Sequence, residues 1–117
     1  MSALYQVNFI GNGVDDVALL YIGGGVITGI DATGGRYQGN YIEHDGRLQG
    51  VVRFTMATAQ DLTPDALPPA GSSYNLRLDF PADFANGKPQ QMLDPGNLPV
   101  LVTIAKLKDV PLLAKAA

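Results

Sequence analysis

One stretch of this chain admits a single β-register. Asp45-Gly46 lies inside a run of alternating side chains over residues 36–59. A two-residue type I′ turn needs positive φ at both central positions, and Asp and Gly tolerate it. Counting outward from that turn, His44 faces Arg47, Tyr41 faces Gly50, Gly39 faces Val52 and Tyr37 faces Phe54. One side of the ribbon then carries Tyr37, Gly39, Tyr41, Leu48, Val52 and Phe54, and the other Arg36, Gln38, Asn40, Gln49, Arg53 and Thr55. A slip of one residue would mix the two sides. Gly39 and Gly50 stand on the apolar side beside tyrosines, where missing side chains permit tight bending and let a ring lie over bare backbone.

The same period-2 pattern recurs elsewhere, broken by Gly, Pro, Asp and Asn. Residues 4–10 alternate, with Tyr5, Val7 and Phe9 opposite Gln6 and Asn8, and Gly11-Asn12-Gly13 ends them. Residues 17–22 are apolar on both sides, and Gly23-Gly24-Gly25 turns them into residues 26–30. Asp31 to Gly35 form the next loop. Residues 74–80 alternate again, residues 90–93 make a short strand, and Asp94-Pro95-Gly96-Asn97 is a turn. Residues 100–108 form the last strand, apolar on both sides. Residues 60–73 hold three prolines and cannot be a central strand; Thr63-Pro64-Asp65 has the capping chemistry of one helical turn. Residues 81–89 are expected to be irregular.

Strands of about six residues, with turns every 8–12, predict an all-β fold: a small antiparallel up-and-down barrel of about eight strands. The 117 residues allow one domain. The expected barrel spans residues 1–117, with its core over about 3–108 and a tail at 109–117. At 46% hydrophobic, the chain can form a core, whereas charged residues are only 16% against a usual ~25%. Such a surface, with two strands apolar on both sides, predicts a homodimer.

Composition closes several routes. The net charge is −3, and the eight cations are dispersed along the sequence. Phosphate binding needs clustered cations, so direct nucleic-acid binding is not expected. The absence of cysteine removes disulfides and thiolate metal sites. No secretory leader is read at the start and no apolar run approaches about 18 residues, so the expectation is a cytoplasmic protein with no membrane span.

Catalytic candidates are few. His44 is the only histidine and sits between Glu43 and Asp45 at the hairpin tip; a metal site would need further converging ligands. Asp15 and Asp16 are adjacent, so in a strand they point apart and make a poor acid–base pair. Asp31 stands at a strand end, where capping its own loop is the commoner role and ligand contact the rarer one. Serine occurs only at Ser2, Ser72 and Ser73, outside any nucleophile elbow. No catalytic residue, metal ligand or cofactor is therefore expected. The aromatics Tyr5, Phe9, Tyr37, Tyr41, Phe54, Tyr74 and Phe80 are expected inward. A barrel this small either packs its interior with them or lines one ligand cavity, which leaves carriage of a small hydrophobic ligand as the alternative function.

Three motifs carry a family resemblance. Ala3-Leu4-Tyr5-Gln6-Val7-Asn8-Phe9 matches an opening G-x-Y-x-V/I-x-F strand from Tyr5 onward, Gly29-Ile30-Asp31 stands where a G-G-D strand end is found, and Tyr37, Gly39 and Tyr41 reproduce Y-x-G-x-Y. Over roughly residues 3–108 the chain resembles the GrlR-like proteins, named for a negative regulator of type III secretion genes. The resemblance implies a lipocalin-like barrel that dimerises, and a non-enzymatic regulator that binds a transcriptional activator. The namesake's acidic hairpin corresponds here to Glu43-His44-Asp45-Gly46, with two acids; this tip is the expected contact for a basic protein partner.

Overall fold

The computed structural model describes residues 2–10, 16–56 and 73–111. Eight strands run in sequence order: β1 (Ser2–Ile10), β2 (Asp16–Gly23), β3 (Val26–Asp31), β4 (Arg36–His44), β5 (Arg47–Thr55), β6 (Ser73–Pro81), β7 (Gln90–Leu93) and β8 (Pro99–Asp109). Each pairs antiparallel with the next, and β8 pairs with β1, so the sheet closes into an up-and-down barrel. The described residues are all-β, as the alternation predicts. The 11–13 turn, Asp15, Ser72, the 63–65 helical turn and the end of the tail fall outside the described residues.

The central hairpin has the expected register. His44 pairs with Arg47, Tyr41 with Gly50, Gly39 with Val52 and Tyr37 with Phe54. Asp45 and Gly46 have φ of 51° and 72°, as a type I′ turn requires. Gly24 and Gly25 turn β2 into β3 in the same way, with φ of 59° and 82°. At Gly39 an added Cβ would run into the Val51 carbonyl oxygen and Val52 Cα, and at Gly50 into the Asn40 carbonyl oxygen. The two strands approach so closely there that only glycine fits.

Closure is made by β1 and β8. Their register steps between Leu4 and Tyr5, because Lys108 opposes Leu4 while Lys106 opposes Tyr5. Leu107 is the extra residue of this bulge, a device that bends a strand at a barrel seam. The weakest seam is β6–β7, with only the pairs Arg77–Leu93 and Leu78–Met92. The segment after β6, expected to be irregular, compensates. It runs alongside β8, where Asn86 bridges Ala105 and Gly87 N–H donates to the Ile104 carbonyl.

Candidate functional site

The barrel interior is packed. Inward side chains alternate along every strand and leave an apolar cavity of about 20 Å³, lined by Val7, Ile27, Val52, Leu76, Met92 and their neighbours. That is room for about one water molecule, and an apolar void of this kind offers water no hydrogen-bond partner.

The aromatics gather toward the two ends, and Phe9, Tyr37 and Phe80 also line the small cavity between them. At the end bearing the 31–35 loop, Phe9, Tyr37, Phe54 and Tyr74 form a chain of rings with centroid spacings of 6.1, 4.9 and 5.4 Å. Tyr74 keeps the inward register, paired with Phe54, but lies at the rim and is 41% exposed. It opens β6 at the rim, so one edge of its ring meets Phe54 and the other faces solvent. At the opposite end Tyr5 and Phe80 meet Phe84, at 5.2 and 5.7 Å. Tyr41 is buried in the same core. Phe84 was not legible as a core residue, because it lies in a Pro- and Gly-containing loop with no periodicity; it is only 2% exposed.

Asp31 is the one buried charged residue among those described. Its Oδ1 accepts from Thr33 N–H at 3.0 Å, Thr33 Oγ1–H at 2.7 Å and Gly35 N–H at 2.7 Å, and its Oδ2 accepts from the Tyr37 hydroxyl at 2.9 Å. Such a carboxylate is a loop cap, not a free base. Burial, then the charge of Asp31 and the hydrogen bond to it, push the Tyr37 phenol well above the usual tyrosine range. Asp16, read along the sequence as half of a poor pair with Asp15, lies instead near Asp31 on the adjacent strand β3. Burial first, and the Asp31 charge second, raise its carboxyl above the usual value.

The hairpin tip is exposed. His44 Nε2 lies 3.1 Å from Asp45 Oδ2. Glu43, His44, Asp45, Arg47 and Ala82 surround a shallow depression of about 230 Å³. Beside it, Arg47 Nε–H donates to Asp79 Oδ1 at 2.6 Å and holds that carboxyl below its ordinary range. Among the described residues, no three His, Asp or Glu side chains converge as a metal site would require.

The outer surface is divided. On β3, β2, β1 and the paired stretch of β8 from Leu101 to Ala105, no outward side chain is charged: the outward positions include Val17, Leu19 and Ile30, with Leu101 facing Ile10. The four arginines, dispersed in sequence, gather on the outer side of β4, β5 and β6. No family model, no curated protein and no solved structure matches this chain.

Proposed function

We propose that this chain is a non-enzymatic binding protein of GrlR-like type, which acts by protein–protein contact on the outside of its barrel and associates as a homodimer. The observation that carries this reading is the uncharged wall of β3, β2, β1 and the Leu101–Ala105 stretch of β8, on a barrel whose interior leaves only about 20 Å³. Leu19 pairs directly with Ile30, which is 58% exposed, and Val17 is Leu19's neighbour on the same face. Depletion of charge is the compositional mark of an interface core. A wall without charge also meets its own copy without like-charge repulsion, which the arginine wall cannot do.

The area fits a weak interface. Four strands at about 4.8 Å and seven residues at about 3.3 Å span about 19 by 23 Å, or about 440 Å² per copy. Two copies bury about 900 Å², near the lower limit of a specific interface of about 1,000 Å². The dimer is therefore expected to dissociate on dilution. The acidic tip with Glu43 and Asp45 suits a basic partner, such as a DNA-binding regulator, by raising its association rate.

Sedimentation velocity tests the reading. A species of twice the 12.3 kDa chain mass should grow with concentration. Leu19→Glu/Ile30→Glu should remain monomeric with an unchanged circular dichroism spectrum. Wild-type protein that stays monomeric at tens of micromolar would overturn the dimer. Native mass spectrometry of protein from its own source separates the two functions: a bound small molecule would replace this reading with the ligand carrier.

A further inference from the structure

We propose that the outer side of β4, β5 and β6 is a second interaction surface, which binds an extended acidic polypeptide segment along a diagonal row of Arg36, Arg53 and Arg77. It adjoins the uncharged wall at Ile30, which pairs with Arg36, and calls for a partner of opposite charge to the one the tip suits.

The row follows from register. Arg36 pairs with Thr55 and Gln38 with Arg53, so Arg36 and Arg53 are diagonal neighbours. Arg53 pairs with Asn75 and Val51 with Arg77, so Arg53 and Arg77 are diagonal neighbours too. Diagonal neighbours in a sheet stand about 7–8 Å apart. Side chains on one face of an extended segment repeat every 6.6–6.8 Å or so. Carboxylates at three alternate positions therefore meet three guanidinium groups in step, and the long arginine side chains absorb the remaining mismatch.

All four arginines of the chain lie on this wall, and the described lysines, Lys88, Lys106 and Lys108, lie off it. Its only outward acid is Asp79, already held by Arg47. Four cations less one anion leave +3 on one wall of a chain whose net charge is −3. Among the described residues neither Arg36 nor Arg53 has a carboxylate within ion-pair distance, and Arg77 donates to the Asn97 amide oxygen. Arginine rather than lysine suits this role, since its planar fork takes a carboxylate at two points.

The ground between the arginines fits a peptide. Gln38, Asn40, Gln49 and Asn75 supply donors and acceptors for a backbone. Two depressions, of about 460 and 580 Å³, share Ile42 and Val51 as apolar lining, where aliphatic side chains can rest. A third, of about 380 Å³, holds both Arg36 and Arg53. No outward residue of β4–β6 is aromatic within the arginine row, so bases have nothing to stack on, and three cations are few for a nucleic acid.

Fluorescence anisotropy with defined probes tests this. The probes are a labelled peptide with three glutamates at alternate positions and valines between, the same composition with its glutamates contiguous, and a labelled 12-nucleotide single strand. The alternating peptide should bind more tightly than the contiguous one, and its affinity should fall with salt. Arg36→Gln and Arg53→Gln should each weaken it by about threefold to tenfold. Arg53→Glu should abolish binding while leaving the urea midpoint unchanged. Ile10→Glu, on the uncharged wall three strands away from the arginine strands, should bind as well as wild type, which separates this surface from that wall. Equal binding by wild type and Arg53→Glu, no binding of the alternating peptide at hundreds of micromolar, or tighter arginine-dependent binding of the single strand would each overturn the proposal.

Discussion

The Tyr37 hydroxyl donates to Asp31 Oδ2 at 2.9 Å, tying the start of β4 to the loop that precedes it. The neighbouring Gly35 leaves room for this contact, because a Cβ there would meet both Asp31 Oδ2 and the Phe54 ring. Tyr37→Phe strips a donor from a carboxylate that is 6% exposed. The expected cost is about 1–3 kcal/mol, read from urea unfolding. An unchanged midpoint would mean that the other three donors suffice.

Asp16 predicts a specific dependence on pH. Its folded-state pKa lies above the ordinary 3.8, through burial first and the Asp31 charge second. Between the unfolded and folded values the native state binds the extra proton, so stability falls as pH rises through that window. The penalty is absent below the unfolded value and complete above the folded one. Asp16→Asn should therefore raise the urea midpoint at pH 7 and leave it unchanged near pH 3. The gain is modest, because solvent screens a largely exposed carboxyl. A gain of equal size at both pH values would contradict this origin.

Two glycines should fail for different reasons. Gly46 has φ of +72° and nothing within 4 Å of an added Cβ, so strain alone acts there. Gly46→Val should cost about 1–3 kcal/mol, and Gly46→Asn much less, since Asn tolerates positive φ. At Gly39 the obstacle is the facing backbone of β5. Gly39→Ala and Gly39→Asn should both destabilise by about 1–3 kcal/mol or more. Rescue by Asn at 39 but not at 46, in parallel thermal melts, would reverse the assignment.

Phe84 should behave as a core residue despite its place in a loop. Phe84→Ala removes the ring between Tyr5 and Phe80 and is expected to cost about 3–5 kcal/mol, with Phe84→Leu intermediate. A loss below about 1 kcal/mol in denaturant unfolding would show that the end of the barrel closes without it.

The architecture was legible because β-structure is written locally. Alternation assigns each side chain to a face, and Asp45-Gly46 sets the register of β4 against β5 without help from distant residues. The capping of Asp31 was legible for the same reason, since its donors Thr33 and Gly35 are two and four residues away. The shortness of β7 and its pairing with β8 followed from the turn at residues 94–97.

What lay beyond the sequence depends on strands that are remote in the chain. Periodicity says that Phe9 and Tyr74 share a face with Tyr37 and Phe54, but only barrel closure and strand tilt place the first two beside the others at one rim. Phe84 has no periodic signal, so its burial was decided by the gap that the short β7 leaves between β6 and β8. The arginines at 36, 53 and 77 look dispersed because their separations of 17 and 24 residues span whole hairpins. The cumulative offset of antiparallel registers turns those separations into diagonal steps on one wall. The sequence by itself determined which residues face out and which face in. The tertiary structure decided which outward residues are neighbours, because neighbours across a closed sheet are set by the pairing of every strand with the next and of the last with the first.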